Sequence, residues 1–188
     1  LHDERIDTDL VLSYTIYRDY PVITRNTRFL QKGPQTIVLE KAMSACVEFL
    51  DMKFEMVQLS GAWARERYVK TRPLEMGIQS VYGLDGTCSG AEHNPFMALK
   101  RPDAGEDNGE VYGFSFVYSG NFLIQTEVST FDMTRVMVGI HPESFSWTLR
   151  EGESFQTPET VMVYSDQGLN KMSQVYHRLY RKRLMGGV

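Results

Sequence analysis

A mainly β, sandwich-like fold carrying one C-terminal helix is what this chain predicts, on three observations. Apolar and polar residues alternate with period two through most of its length, with β-branched and aromatic side chains at the apolar positions. Gly, Pro, Asn and Asp break that alternation at short intervals. Only the stretch from Leu169 to Arg183 changes to steps of three and four.

From Asp9 to Arg18, Leu10, Leu12, Tyr14 and Ile16 alternate with Val11, Ser13, Thr15 and Tyr17, which predicts a strand. Tyr20-Pro21 opens a second strand, Val22 to Leu30, and Lys32-Gly33-Pro34 makes the next turn. Gln35 to Leu39 reads as a third strand continuing irregularly toward Phe49. Shorter strands are expected at Phe54–Leu59, Tyr68–Arg72 and Ile78–Tyr82, followed by a tight turn at Asp85-Gly86. Thr87 to Pro95 and Arg101 to Gly109 read as loops, the second solvated and charged.

Val111–Tyr118 and Phe122–Val128 are expected to pair as a hairpin about Ser119-Gly120-Asn121. Arg135–Ile140 and Phe155–Tyr164 complete about ten strands. His141-Pro142 ends the first of these. Pro158 lies inside the second, so that strand is an edge, is bulged, or begins after it. In the helix, Leu169, Met172, Tyr176, Leu179 and Arg183 form one stripe. Ser165 or Asp166 is placed to cap its start, basic residues from His177 to Arg183 suit its C-terminal dipole, and Gly186-Gly187 stops it. Stacked sheets with one helix make a sandwich.

Composition narrows the function classes. With 188 residues and 42% hydrophobic content, the chain can bury roughly 70% of its unfolded surface in one core. A net charge of −4 with no basic stripe argues against nucleic acid. No apolar run approaches the roughly 20 residues that span a bilayer. Cys46 and Cys88 lack metal-ligand spacing and read as free thiols, and the four histidines show no metal or nucleophile motif. No cofactor is implied. The opening Leu1-His2-Asp3 leads quickly into a strand, as text begun mid-domain.

The segment QLSGAWARERY, Gln58 to Tyr68, carries the best binding chemistry. Ser60, Gly61 and Ala62 allow a tight turn before Trp63, whose flat ring with a polar N–H edge suits the C–H face of a pyranose. Arg65, Glu66 and Arg67 could hydrogen-bond hydroxyls. By residue type alone, a core-filling Trp63 flanked by solvated charges is the commoner arrangement. Trp147, alternating with Phe145 and Leu149, is also expected in the core. His93-Asn94-Pro95-Phe96 reads as a structural turn into a strand. Asp51 with Glu55, and Glu151 with Glu153, read as solvated charges.

YPVITRNTRF, QLSGAWARER, HNPFMALKRP, the run from Glu110 to Tyr180 and the terminal HRLYRKRL stand in this order along nearly the whole chain. Together they resemble the N-terminal domain of glycoside hydrolase family 36 α-galactosidases, with that domain's earliest strands missing. The resemblance implies a β-supersandwich of the galactose mutarotase-like kind over residues 1–167. Residues 168–188 would be a helix leading to an absent catalytic barrel. It implies a retaining, cofactor-free enzyme that hydrolyses terminal α-D-galactosides such as melibiose and raffinose-type sugars, cytoplasmic and tetrameric. In that family the tryptophan of the motif matched by Trp63 reaches a neighbouring subunit's active site. An aspartate eight residues earlier also faces the sugar; here Glu55 stands in its place. The family's two catalytic aspartates lie on the barrel, the nucleophile within Lys-Trp-Asp. This chain has no Lys-Trp-Asp, so no catalytic residue is assigned to it and it is expected to be inactive alone.

Two other classes remain as alternatives. A free-standing carbohydrate-binding module would bind galactose through Trp63 without a barrel. A mutarotase-like epimerase would need a histidine and a carboxylate in one cleft.

Overall fold

Among the described residues, three layers build the fold: a four-stranded sheet, a nine-stranded sheet and one helix. The computed structural model describes residues 1–86 and 92–185. Cys88, most of the loop expected at Thr87–Pro95 and the Gly186-Gly187 stop lie outside the described residues.

The elements follow in chain order as β1 (His2–Asp3), β2 (Thr8–Ile16), β3 (Val22–Gln31), β4 (Ile37–Leu39), β5 (Met43–Phe49), β6 (Glu55–Ala62), β7 (Arg65–Pro73) and β8 (Gly77–Gly83). Then come β9 (His93–Lys100), β10 (Val111–Phe116), β11 (Phe122–Val128), β12 (Thr134–Ile140) and a 3-10 turn (Pro142–Ser144). β13 (Trp147–Leu149), β14 (Ser154–Gln156), β15 (Thr160–Ser165) and α1 (Gly168–Arg183) finish the chain. The large sheet runs β1-β2-β3-β15-β10-β9-β6-β7, with β14 also on β3, and the small sheet runs β5-β12-β11-β8. A separate ribbon joins β13 to β4.

One core lies between the sheets, where Met56, Met97, Leu99, Phe114 and Phe116 meet Phe122, Ile124, Val136 and Val138. A second lies between the outer face of the large sheet and α1, where Val57, Ala98, Val111, Val161 and Val163 meet Met172, Val175, Tyr176 and Leu179. Central strands such as β10 are thus buried on both faces, so they read as nearly continuous apolar text. The helical stripe is as expected, except that Arg183 is exposed and Val175 takes part.

Several expectations are corrected. The third strand does not run on toward Phe49: β4 pairs with β13, and after a break β5 joins the small sheet. Ser119-Gly120-Asn121 is a crossover and not a hairpin, because β10 and β11 lie in different sheets. Phe116 and Phe122 both fill the space between the sheets, and they face it from opposite sides. Asn121 works there as a stitch: its side chain accepts the Gly86 N–H at 2.7 Å and donates to Ser144 Oγ at 2.7 Å. Pro158 separates β14 from β15, both of which pair with β3. Trp147 is 48% exposed, resting against Phe155, while its neighbour Leu149 is buried.

Neither Ser165 nor Asp166 caps α1. The N-cap residue is Gln167, which makes no side-chain cap, and Ser165 Oγ receives the Gln167 N–H at 3.1 Å. The first-turn N–H groups instead donate to the loop after β9: Gly168 to Gly109 O, Leu169 to Gly105 O and Asn170 to Glu106 O. The loop expected to be solvated is therefore folded over the helix start.

Candidate functional site

The GAWARER segment forms the tip of the hairpin between β6 and β7, at one edge of the large sheet. Ala62 pairs with Arg65, so Trp63 and Ala64 alone make the turn, with Ala64 at φ +64°. Gly61 faces two residues of β7, Glu66 and Arg67, and Arg67 adopts φ +63°. A Cβ on Gly61 would fall 2.2 Å from Arg65 O, so only glycine allows this close crossing. The result overturns the core expectation for this tryptophan: Trp63 is 86% exposed. Arg65, Glu66 and Arg67 are exposed beside it, as expected of them. An open concavity of about 410 Å³ lies at the root of the hairpin, lined by Ser60, Gly61, Ala62, Arg65, Tyr68 and Lys70.

Sequence reasoning missed the residues that hold this root. Gln58 Nε2 donates to Ser60 Oγ at 2.7 Å, and Ser60 Oγ shares a hydrogen bond of 2.9 Å with His93 Nδ1. The Gly61 N–H donates to Glu92 O at 2.8 Å. His93 therefore belongs to β9 and not to a turn, and Pro95 sits inside that strand. It fits there because pairing with β10 ends at Phe96 and the β6 ladder shifts register beside it. Ser60 and His93 are 33 residues apart, and no local pattern announces the pair.

Glu55 stands at the opposite end of β6. Eight residues of strand put it roughly 25 Å from Trp63, so this chain alone does not bring the two together. Its carboxylate is ion-paired to Lys100. It lines an open concavity of about 830 Å³ with Asp51, Phe54, Leu74 and Arg101. Arg101 lies 4.1 Å over the Phe54 ring and reaches Asp51 at 2.7 Å and Glu110 at 3.1 Å. The hydrogen bond from Arg101 holds the Asp51 carboxyl below its ordinary range. Asp51 and Glu55 are thus each tied to a cation and are not freely solvated. Glu153 likewise caps its own turn, accepting the Arg150 N–H at 2.8 Å.

His141 and His2 make contacts of a different kind. His141 Nδ1 accepts the Glu143 N–H at 3.2 Å, starting the 3-10 turn. His2 meets Asp9 at 2.8 Å on the exposed first strand, away from any concavity described above. His93 meets a serine. His93 also lines a small concavity of about 130 Å³ with Asp85 and Glu92, where its Nδ1 is already hydrogen-bonded to Ser60 Oγ. Among the described residues no cluster suits a metal ion. No described helix is long and apolar enough to cross a membrane.

The stacked sheets define a β-sandwich domain with an exposed aromatic at the tip of an edge hairpin. The sequence model of the glycosyl hydrolase family 36 N-terminal domain matches residues 1–150, and that of the melibiase family matches residues 154–187. The chain belongs to the glycoside hydrolase family 36 N-terminal domain family. It is 52% identical over 187 residues to α-galactosidase AgaA of Geobacillus stearothermophilus, covering 100% of this chain and 26% of that protein. It is 44% identical over 185 residues to α-galactosidase Mel36A of Lactobacillus acidophilus, covering 98% and 25%. The crystal structure of an AgaA variant in complex with raffinose superposes with a TM-score of 0.96 over 97% of this chain and 25% of that one. The chain thus spans about a quarter of the length of the relatives it matches.

Proposed function

We propose that this chain is the non-catalytic N-terminal β-sandwich of a retaining α-galactosidase. The whole enzyme would hydrolyse terminal α-D-galactosides of the melibiose and raffinose type, in the cytoplasm and without a cofactor. Residues 1–167 form the sandwich, and 168–188 lead into a catalytic barrel that supplies both carboxylates. Relatives named as α-galactosidases and the neighbour solved with raffinose support the substrate class.

The single observation that carries the domain's role is the exposure of Trp63 at a sharply turned hairpin tip. A large ring held clear of its own core is available to pack, through its flat face and N–H edge, on another surface. In our reading that surface is the sugar pocket of a neighbouring subunit in a homo-oligomer, where the indole packs on the galactoside. Glu55 joins such a pocket only where the partner spans both ends of β6.

The test is Trp63→Ala in the full-length enzyme. A stacking contact worth about 1 kcal/mol corresponds to a rise of roughly three- to tenfold in KM for raffinose. The isolated chain should show no hydrolysis. An unchanged KM would remove Trp63 from the pocket. The concavity beside Trp63 also favours a second reading, a sugar-binding module, which predicts saturable galactose binding by the isolated chain.

A further inference from the structure

We propose that His93, through Ser60, is a positioning residue that sets the direction in which the Trp63 hairpin leaves the sheet. The inference rests on the reading of Trp63 as a substrate-facing side chain and adds the residue that aims it.

The regular ladder of β6 stops short of the hairpin. Glu55, Met56, Val57 and Gln58 pair in register with Lys100, Leu99, Ala98 and Met97 of β9. The next pair is Ser60 with His93, so Leu59 alone faces Asn94, Pro95 and Phe96. Pro95 has no N–H to give, and a ladder cannot continue evenly through it. On the other side, the ladder with β7 breaks at Gly61. Both ladders of β6 therefore shift register within the last residues before Trp63. Bulges of this kind re-aim a strand, and something else must then fix its direction.

Two links tie this root to the β9 side. One is the backbone bond from Gly61 N–H to Glu92 O at 2.8 Å. The other is the side-chain chain from Gln58 Nε2 to Ser60 Oγ to His93 Nδ1, at 2.7 and 2.9 Å. Because Ser60 Oγ accepts from Gln58, its own hydrogen is free to donate to Nδ1. The imidazole is braced in turn by Tyr82 of β8, with ring centroids 6.5 Å apart, and Tyr82 packs on His141 at 5.4 Å. β8 belongs to the small sheet, so His93 links the hairpin root to the second layer of the sandwich. The β6–β7 pairing holds the two arms of the hairpin to each other; loss of the Ser60–His93 side-chain bond leaves its root tied to the β9 side by the Gly61–Glu92 backbone bond. Pocket walls are sensitive to such loosening, since misplacement by about 1 Å can cost up to 100-fold in a well-oriented site.

The experiment uses two readouts. In the 188-residue chain with Trp147→Phe, Trp63 is the only tryptophan left, so fluorescence anisotropy and acrylamide quenching report its motion. In the full-length enzyme, kcat and KM for raffinose are measured separately. His93→Phe and Ser60→Ala should each lower the anisotropy and raise KM roughly three- to tenfold with kcat within about twofold. His93→Asn, which can keep a hydrogen bond to Ser60 Oγ, should restore both. Ser60→Ala serves where His93→Phe disturbs folding, because it removes only the hydroxyl. If both variants keep wild-type anisotropy and KM, His93 does not aim the hairpin and the inference is overturned. If Trp63→Ala leaves KM unchanged while anisotropy still falls in His93→Phe, the positioning by His93 stands and the substrate-facing role of Trp63 is what fails.

Discussion

Gly168 lies against Glu106 so closely that a Cβ on the glycine would fall 2.5 Å from the Glu106 carbonyl oxygen. Its φ of +75° belongs to the left-handed region. The contact exists because the loop at 105–109 supplies the carbonyls that cap α1. Gly168→Ala therefore meets both a backbone clash and a strained φ. We expect a loss of about 2–4 kcal/mol in urea unfolding, with the far-UV helix signal lost first.

Asp51 makes acid stability dependent on Arg101. Its carboxyl is lowered in the folded state by the hydrogen bond from Arg101. A depressed folded pKa contributes stability that is present above the unfolded value of about 3.9 and is lost as pH falls through the folded value. Asp51→Asn should thus lose less stability than wild type between pH 5 and pH 3 in parallel urea titrations. Equal slopes would show that the pair contributes nothing to folding.

Tyr176 acts at the other end of the pH scale. Burial pushes its phenol well above the ordinary value of 10, and its hydroxyl donates to Val161 O at 3.0 Å. A raised folded pKa gives stability that is complete below about pH 10 and is lost as pH climbs toward the folded value. Tyr176→Phe should be less stable at pH 8 by about 1 kcal/mol and should lose less on going to pH 10.5.

Trp63→Ala separates binding from folding. A buried tryptophan cut to alanine costs about 3–5 kcal/mol. At 86% exposure we expect a change within about 0.5 kcal/mol in the isolated chain. A large loss of stability would mean that the ring packs on its own domain in solution.

Much of the fold could be read locally. The bounds of β2, β3, β11 and β12 fall within two residues of those the alternation marks, although Tyr14 and Ile16 on the expected apolar face of β2 are exposed, and Met172, Tyr176 and Leu179 mark the buried face of α1. The Ser119-Gly120-Asn121 turn could not be read this way. A short glycine turn looks the same whether the next strand folds back onto its neighbour or crosses to the other sheet. The cap of α1 was equally hidden, because its acceptors lie about sixty residues upstream. At the candidate site, the turn chemistry of Gly61-Ala62-Trp63 and the charges around it were legible; residue type alone pointed Trp63 into the core, and only the family resemblance pointed it outward, where it is.

The sequence by itself determined the strand and helix periods and the family, since each depends on residue order alone. Tertiary structure decided which sheet each strand joins, that Glu55 and Trp63 stand at opposite ends of one strand, and that His93 braces Ser60. Those outcomes depend on pairing between distant segments, and period-two alternation fixes which side chains share a face without fixing which strand lies beside it.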